Sequence, residues 1–176
     1  MRKATELMVQ YAAYHRDQRN ITTHFVGIPL IVFGIGVLLM RPTMMVNGLA
    51  LTPAWVLWAI GGLWYLSRGN LLLGVAVTAI NGLLFLLAQQ VAGGSVASWL
   101  TWAFGTFVFG WLLQFIGHYY EGRKPAFVDD MVGLLVGPMF VTGEFLFSLG
   151  LCKPLLEEIE RKVGPTTLRN LAHPLI

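Results

Sequence analysis

Five stretches almost free of charge recur along the chain, at 25–40, 48–66, 71–92, 96–116 and 131–151, with polar residues confined to the joints between them. About 20 apolar residues in a helix cross the hydrocarbon of a bilayer, so the first four runs read as transmembrane helices. The first reaches that length only if its helix begins near Thr22. Asn20-Ile21-Thr22-Thr23 offers several capping side chains, which predicts a helix start there with His24 in the first turn. Arg41-Pro42 closes this span, and Ser67-Arg68-Gly69-Asn70 and Gly93-Gly94-Ser95 separate the following ones. Ahead of them, residues 3–16 place Leu7, Met8, Tyr11 and Tyr14 at helical spacing, the pattern of a short amphipathic helix on a membrane surface.

The fifth run is interrupted by Gly137-Pro138 and carries Glu144 in its second half. If it crosses the bilayer, the basic residues divide seven to five between the two sides. If it turns back at Gly137-Pro138 as a re-entrant element, every basic residue except Arg41 lies in the cytoplasm, with both chain ends. The positive-inside rule favours the second arrangement. The expected fold is therefore all-α: a single integral membrane domain over 1–176 with four transmembrane helices, an N-terminal amphipathic helix and a broken element at 131–151.

Composition agrees. Apolar residues make up 56% of the chain and charged residues 12%, against about a quarter charged in soluble domains. A formal charge of +3, dispersed beside apolar runs, marks topology and gives no sign of nucleic acid. The polar first twenty residues do not resemble a signal peptide, and Cys152 is alone, so no intrachain disulfide is expected. The tryptophans read as interface belts. These features predict a multi-pass protein of a bacterial inner membrane or, in a eukaryote, of the endoplasmic reticulum.

Sorting the spans this way brings polar side chains together. His24 opens the first span on the cytoplasmic side and His118 ends the fourth there, with His15 and Glu121 in adjoining segments. On one unbroken helix, positions 15 and 24 would point to opposite sides, so convergence requires a break between them. Positions 114, 118 and 121 share a helix face. His15, His24, His118 and Glu121 are thus candidate metal ligands, with Gln114 a hydrogen-bonding neighbour. Imidazole and carboxylate without thiolate suit iron, zinc or manganese, and histidines with one carboxylate are typical of non-haem Fe(II) oxygenases. Interfacial anchoring is the bland alternative for each histidine, and an arginine partner the bland one for Glu144. His173 reads as a solvated tail residue.

Three motifs in this order, His15-x4-Asn20-x3-His24-x2-Gly27-x-Pro29, Gln114-Phe-Ile-Gly117-His118-x2-Glu121-x-Arg123-x-Pro125-Ala126 and Gly137-Pro138-x-Phe140-x3-Glu144, resemble the integral-membrane 2-hydroxy fatty acid dioxygenases of fatty-acid α-oxidation. The resemblance implies an Fe(II) enzyme that uses O2 to cleave the C1–C2 bond of a 2-hydroxy fatty acid, giving CO2 and an acid one carbon shorter. It implies catalytic roles for Asn20, Gln114 and Glu144 beside the metal, and membrane lipid as surroundings. Arg16, Arg19 or Arg123 would hold the substrate carboxylate, and Glu144 would orient a histidine or pair with Arg16 without touching metal. Two other readings stand beside it: a metal-dependent lipid hydrolase with Glu121 as base, and a small transporter or assembly factor whose histidines relay protons. Membrane desaturases need more histidines than the chain has.

Overall fold

The computed structural model describes residues 2–125 and 130–171. They form a helical bundle, 73% helix, with seven helices. In order these are α1 Ala4–Ala12, α2 Gln18–Met40, α3 Pro53–Leu66, α4 Leu71–Ala92, α5 Val96–Glu121, α6 Gly133–Ser148 and α7 Lys153–Val163, with a hairpin of β1 Met44–Val46 and β2 Leu49–Leu51 between α2 and α3. Three helices, α2, α4 and α5, are long and apolar enough to cross a membrane, and the shorter apolar α3 packs beside α4 and α2 as the fourth member. The chain is a multi-pass membrane protein.

The second apolar run departs from expectation. Asn47 and Gly48 both take positive φ, the backbone of the two-residue turn that Asn-Gly favours, and Met44–Val46 folds back on Leu49–Leu51. Helix begins only at Pro53, where Thr52 accepts a hydrogen bond from the Trp55 amide. The 14 residues of α3 reach about 21 Å.

The closest crossing in the bundle is between α2 and α5. A Cβ at Gly27 would meet the Gly110 carbonyl at 2.8 Å, one at Gly110 the Gly27 carbonyl at 2.7 Å, and one at Gly34 the Ala103 carbonyl at 2.7 Å. Gly27 and Gly34, like Ala103, Gly110 and Gly117, recur every seven residues, so one small-residue stripe on each helix lets the backbones touch. Trp99 at the far end donates from its ring nitrogen to the Val37 carbonyl at 2.7 Å.

Two sequence expectations are corrected at the other end. The first helix does not lie on lipid: Leu7, Met8 and Tyr11 are buried against Met139 and Phe140 of α6 and Leu155 and Ile159 of α7. The fifth run is broken as expected, but not at Gly137-Pro138. Helix α6 runs through both residues; Pro138 deprives the Leu134 carbonyl of its helical donor, and the next carbonyl, of Leu135, accepts the Tyr65 hydroxyl at 3.0 Å. The chain turns later, between Ser148 and Lys153, where Gly150 and Cys152 take positive φ and α7 leaves at 112° to α6. Asp130, just ahead of α6, pairs with Arg2 at 2.6 Å, and Glu144 in its last turns faces Arg16 at 3.5 Å. Those arginines flank α1, so α6 lies alongside α1. Helices α1, α6 and α7 together cap one end of the bundle.

Candidate metal centre

Under this cap three histidines converge. The break between His15 and His24 falls earlier than the capping residues suggested: α1 stops at Ala12, Tyr14 to Asp17 form the joint, and Asp17 caps α2 by accepting from the Arg19 amide. His24 is then in the second turn of α2, with Asn20 one turn before it. Position 117 brings in the third histidine. A side chain there would run into Asn20, Thr23 and the His24 ring, so Gly117 lets α5 approach until His118 stands beside His24.

His15, His24 and His118 are all buried, and one ring nitrogen from each lies within 4.8 Å of the others. The His15 Nδ1 donates to the Tyr11 carbonyl at 2.7 Å and the His24 Nδ1 to the Asn20 carbonyl at 2.9 Å. In neutral rings these bonds leave both Nε2 atoms as bare lone pairs, and the two stand 3.1 Å apart. Two facing acceptors repel unless a cation or proton lies with them, while backbone-held Nδ1–H groups are the usual supports of metal-binding imidazoles. Burial, and then the neighbouring His24 and His118, hold His15 well below the usual histidine range; it stays neutral, the form that binds a metal. The Tyr11 ring stacks flat on His15 at 4.0 Å and fixes its plane. The residues present fit a divalent transition metal bound by three nitrogens with open positions.

Glu121, expected as a fourth ligand, lies elsewhere in this arrangement. Its carboxylate accepts from the Arg16 amide at 2.9 and 3.0 Å, the Asp17 amide at 2.8 Å and the Asn20 side-chain amide at 2.9 Å. It ties the end of α5 to the joint before α2, and the three imidazoles meet without it. Asn20 also donates to the Tyr14 carbonyl at 3.2 Å, so it bridges joint, α2 and α5. Of the two partners foreseen for Glu144, the structure provides Arg16, whose Nε also donates to the His15 carbonyl at 2.9 Å. The Glu144 carboxylate is thus linked to the His15 backbone through one guanidinium.

The arginines expected to hold substrate are engaged with protein. Arg19 grips Asp17 through two nitrogens at 2.9 and 2.7 Å, first among the causes that hold the Asp17 carboxyl down at about 2. Arg123 donates to the Ala13 carbonyl at 2.7 Å. Arg16, Arg123 and Arg169 line an outer cleft of about 460 Å³ between the joint and the C-terminal segment. That segment docks on the joint, with the Thr167 amide bonded to the Arg16 carbonyl and the Gln18 amide to the Thr167 carbonyl, each at 2.9 Å. His173 and Ala126 lie outside the described residues.

On the bilayer side of the triad, His24 and His118 open into a cavity of about 240 Å³ between α2, α5 and α6, walled chiefly by Ile28, Ile31, Phe107, Trp111 and Leu134. The Gln114 amide nitrogen is buried there with no hydrogen-bond partner among the described residues. Sequence reading passed over this apolar wall and the support from Tyr11, although Ile28, Ile31, Val32 and Ile35 follow helical spacing. The cavity is a slot with one polar end, the shape complementary to an amphiphile.

No solved structure matches the chain. A yeast protein from Saccharomyces cerevisiae named 2-hydroxy-palmitic acid dioxygenase MPO1 is 34% identical over 156 residues, which is 85% of this chain and 83% of the yeast one. The family model described as 2-hydroxy-palmitic acid dioxygenase Mpo1-like matches residues 1–149, which include all three histidines and Glu144. With the family model covering that much of the sequence, the chain belongs to the Mpo1-like family.

Proposed function

We propose that this protein is an Fe(II)-dependent dioxygenase that converts a 2-hydroxy fatty acid and O2 into a fatty acid one carbon shorter, CO2 and water. The observation that carries the reading is the junction of a buried three-histidine cluster with an apolar slot. The family, and the name of the yeast relative, supply the substrate class. In the overall conversion RCH(OH)COOH + O2 gives RCOOH + CO2 + H2O; the C1–C2 bond breaks, C2 rises from alcohol to carboxyl level, and the substrate provides all four electrons that O2 accepts. No external reductant enters.

His15, His24 and His118 hold the metal through neutral imidazoles. Bound there, ferrous iron supplies the one-electron chemistry that lets O2 react with a closed-shell acid. Gln114, with an unpartnered amide nitrogen at the polar end of the slot, donates a hydrogen bond to the substrate's carboxylate or hydroxyl. Arg16, Arg123 and Arg169 outnumber Asp17 and Glu121 around the outer cleft and attract the carboxylate head to the membrane surface. The Glu144–Arg16 pair restrains the His15 backbone, and Asn20 and Glu121 fix the distance between α2 and α5. The apolar walls hold the acyl chain and keep water from the reacting carbon. Every basic residue except Arg41 lies on elements at the histidine end, while Arg41 sits at the far end over the Trp99 ring; this supports a cytoplasmic site.

The test is metal content and O2 uptake after anaerobic purification and reloading. Fe(II) at one equivalent per chain with O2 uptake dependent on a 2-hydroxy acid is expected. Zinc at the same site, with ester hydrolysis and no O2 uptake, would transfer the protein to the hydrolase reading.

A further inference from the structure

A second apolar cavity adjoins the slot below the histidines. It holds about 200 Å³ and lies between α2, α3, α4 and α6, and Val32, Ile35, Leu134 and Pro138 line both. The α2 wall is one stripe, since Ile28, Ile31, Val32 and Ile35 fall at i, i+3, i+4 and i+7. From His24 to Ile35 that stripe covers about 16 Å of helix axis. This is roughly half of the ~30 Å hydrocarbon core, the depth that one lipid acyl chain occupies.

The polar groups of the second cavity are already satisfied. Tyr65 donates to the Leu135 carbonyl and hydrogen-bonds with Asn81. What remains is an apolar surface and an opening at Gly61, where a Cβ would meet nothing nearer than Tyr65 Cε2 at 3.9 Å. At the neighbouring Gly62 a Cβ would strike Thr78 Cγ2 at 2.8 Å. Position 61 therefore has room for a side chain on the lining of the cavity.

We propose that this second cavity binds the distal part of the substrate's acyl chain, and that Gly61 sets the longest chain the protein accepts. The inference rests on the 2-hydroxy acid reading of the histidine site and adds where the acyl chain of that acid ends. Binding of a sixteen-carbon and of an eight-carbon 2-hydroxy acid to the full-length, detergent-solubilised protein is measured anaerobically by equilibrium dialysis, with turnover followed in parallel. The wild type is compared with Gly61→Leu and with Leu57→Trp, which fills the same cavity from a half-exposed position. The expected result is a fall of about tenfold or more in the preference for the long acid, the effect of about two methylenes losing their burial, with the short acid bound as before. An unchanged preference in both variants overturns the proposal, and failure of the wild type to bind either acid overturns it together with the dioxygenase reading. If the preference falls as expected but no acid is turned over, the chain-binding site stands and the dioxygenase reading fails.

Discussion

His118 reaches His24 because position 117 is a glycine, and both rings face His15 because the chain breaks before Asp17. Removal of one imidazole leaves two nitrogens, too few to retain a labile ferrous ion. His24→Ala and His118→Ala are each expected to lose most of the iron while keeping their helical circular dichroism; full iron occupancy in either would remove that residue from the ligand set. Glu121 makes the opposite prediction. Its carboxylate serves three N–H donors, so Glu121→Ala leaves buried donors unpaired at about 1–3 kcal/mol each. Thermal unfolding should fall sharply, with iron still bound by the folded fraction. Iron loss with unchanged stability would restore Glu121 as a ligand. Glu144→Gln weakens the grip on Arg16 and should reduce turnover about tenfold with iron retained, as losses around a ligand shell generally do.

The contact between α2 and α5 depends on the absence of side chains at a few positions. Gly27→Ala puts a methyl against the Gly110 carbonyl and should cost about 1–3 kcal/mol by overpacking, read as a lower melting temperature in micelles. Gly105→Ala is the control, because a Cβ there meets nothing within 4 Å. The long spans, the turn at Ser67-Arg68-Gly69-Asn70 and the gathering of His15, His24 and His118 were legible in the sequence, because apolar length and the sorting of charge determine them. The Asn47-Gly48 hairpin was present in the sequence as a local turn signal at the start of the second apolar run. That α6 runs through Gly137-Pro138 was not legible: the proline removes one i−4 bond, that of the Leu134 carbonyl, and whether the helix continues past it is decided by the packing around α6. The partners of Glu121 were hidden for a similar reason. Its helical spacing from His118 fits a ligand, and only the tertiary position of the Arg16 and Asp17 amides shows what occupies it.

Across the whole molecule, the cap of α1, α6 and α7 places one polar chemical end on an otherwise apolar bundle. In a Cys152→Ser background, cysteines replacing Met131 and Lys162 should react with an impermeant reagent from the cytoplasmic side, and one replacing Met45 in the hairpin from the other. Labelling of positions 131 and 162 from opposite sides would mean that α6 crosses the bilayer. Whether the buried histidines serve O2-dependent removal of one carbon is decided by the fate of that carbon. Iron-loaded wild-type protein and His24→Ala are given a long-chain 2-hydroxy acid labelled with carbon-13 at C1, and O2 uptake, labelled CO2 and the shortened acid are measured together. Equimolar O2 consumption, labelled CO2 and unlabelled acid one carbon shorter are expected in the wild type, and none of the three in the variant. Label retained in the acid product, or CO2 released without O2 uptake, would rule out the dioxygenase reading.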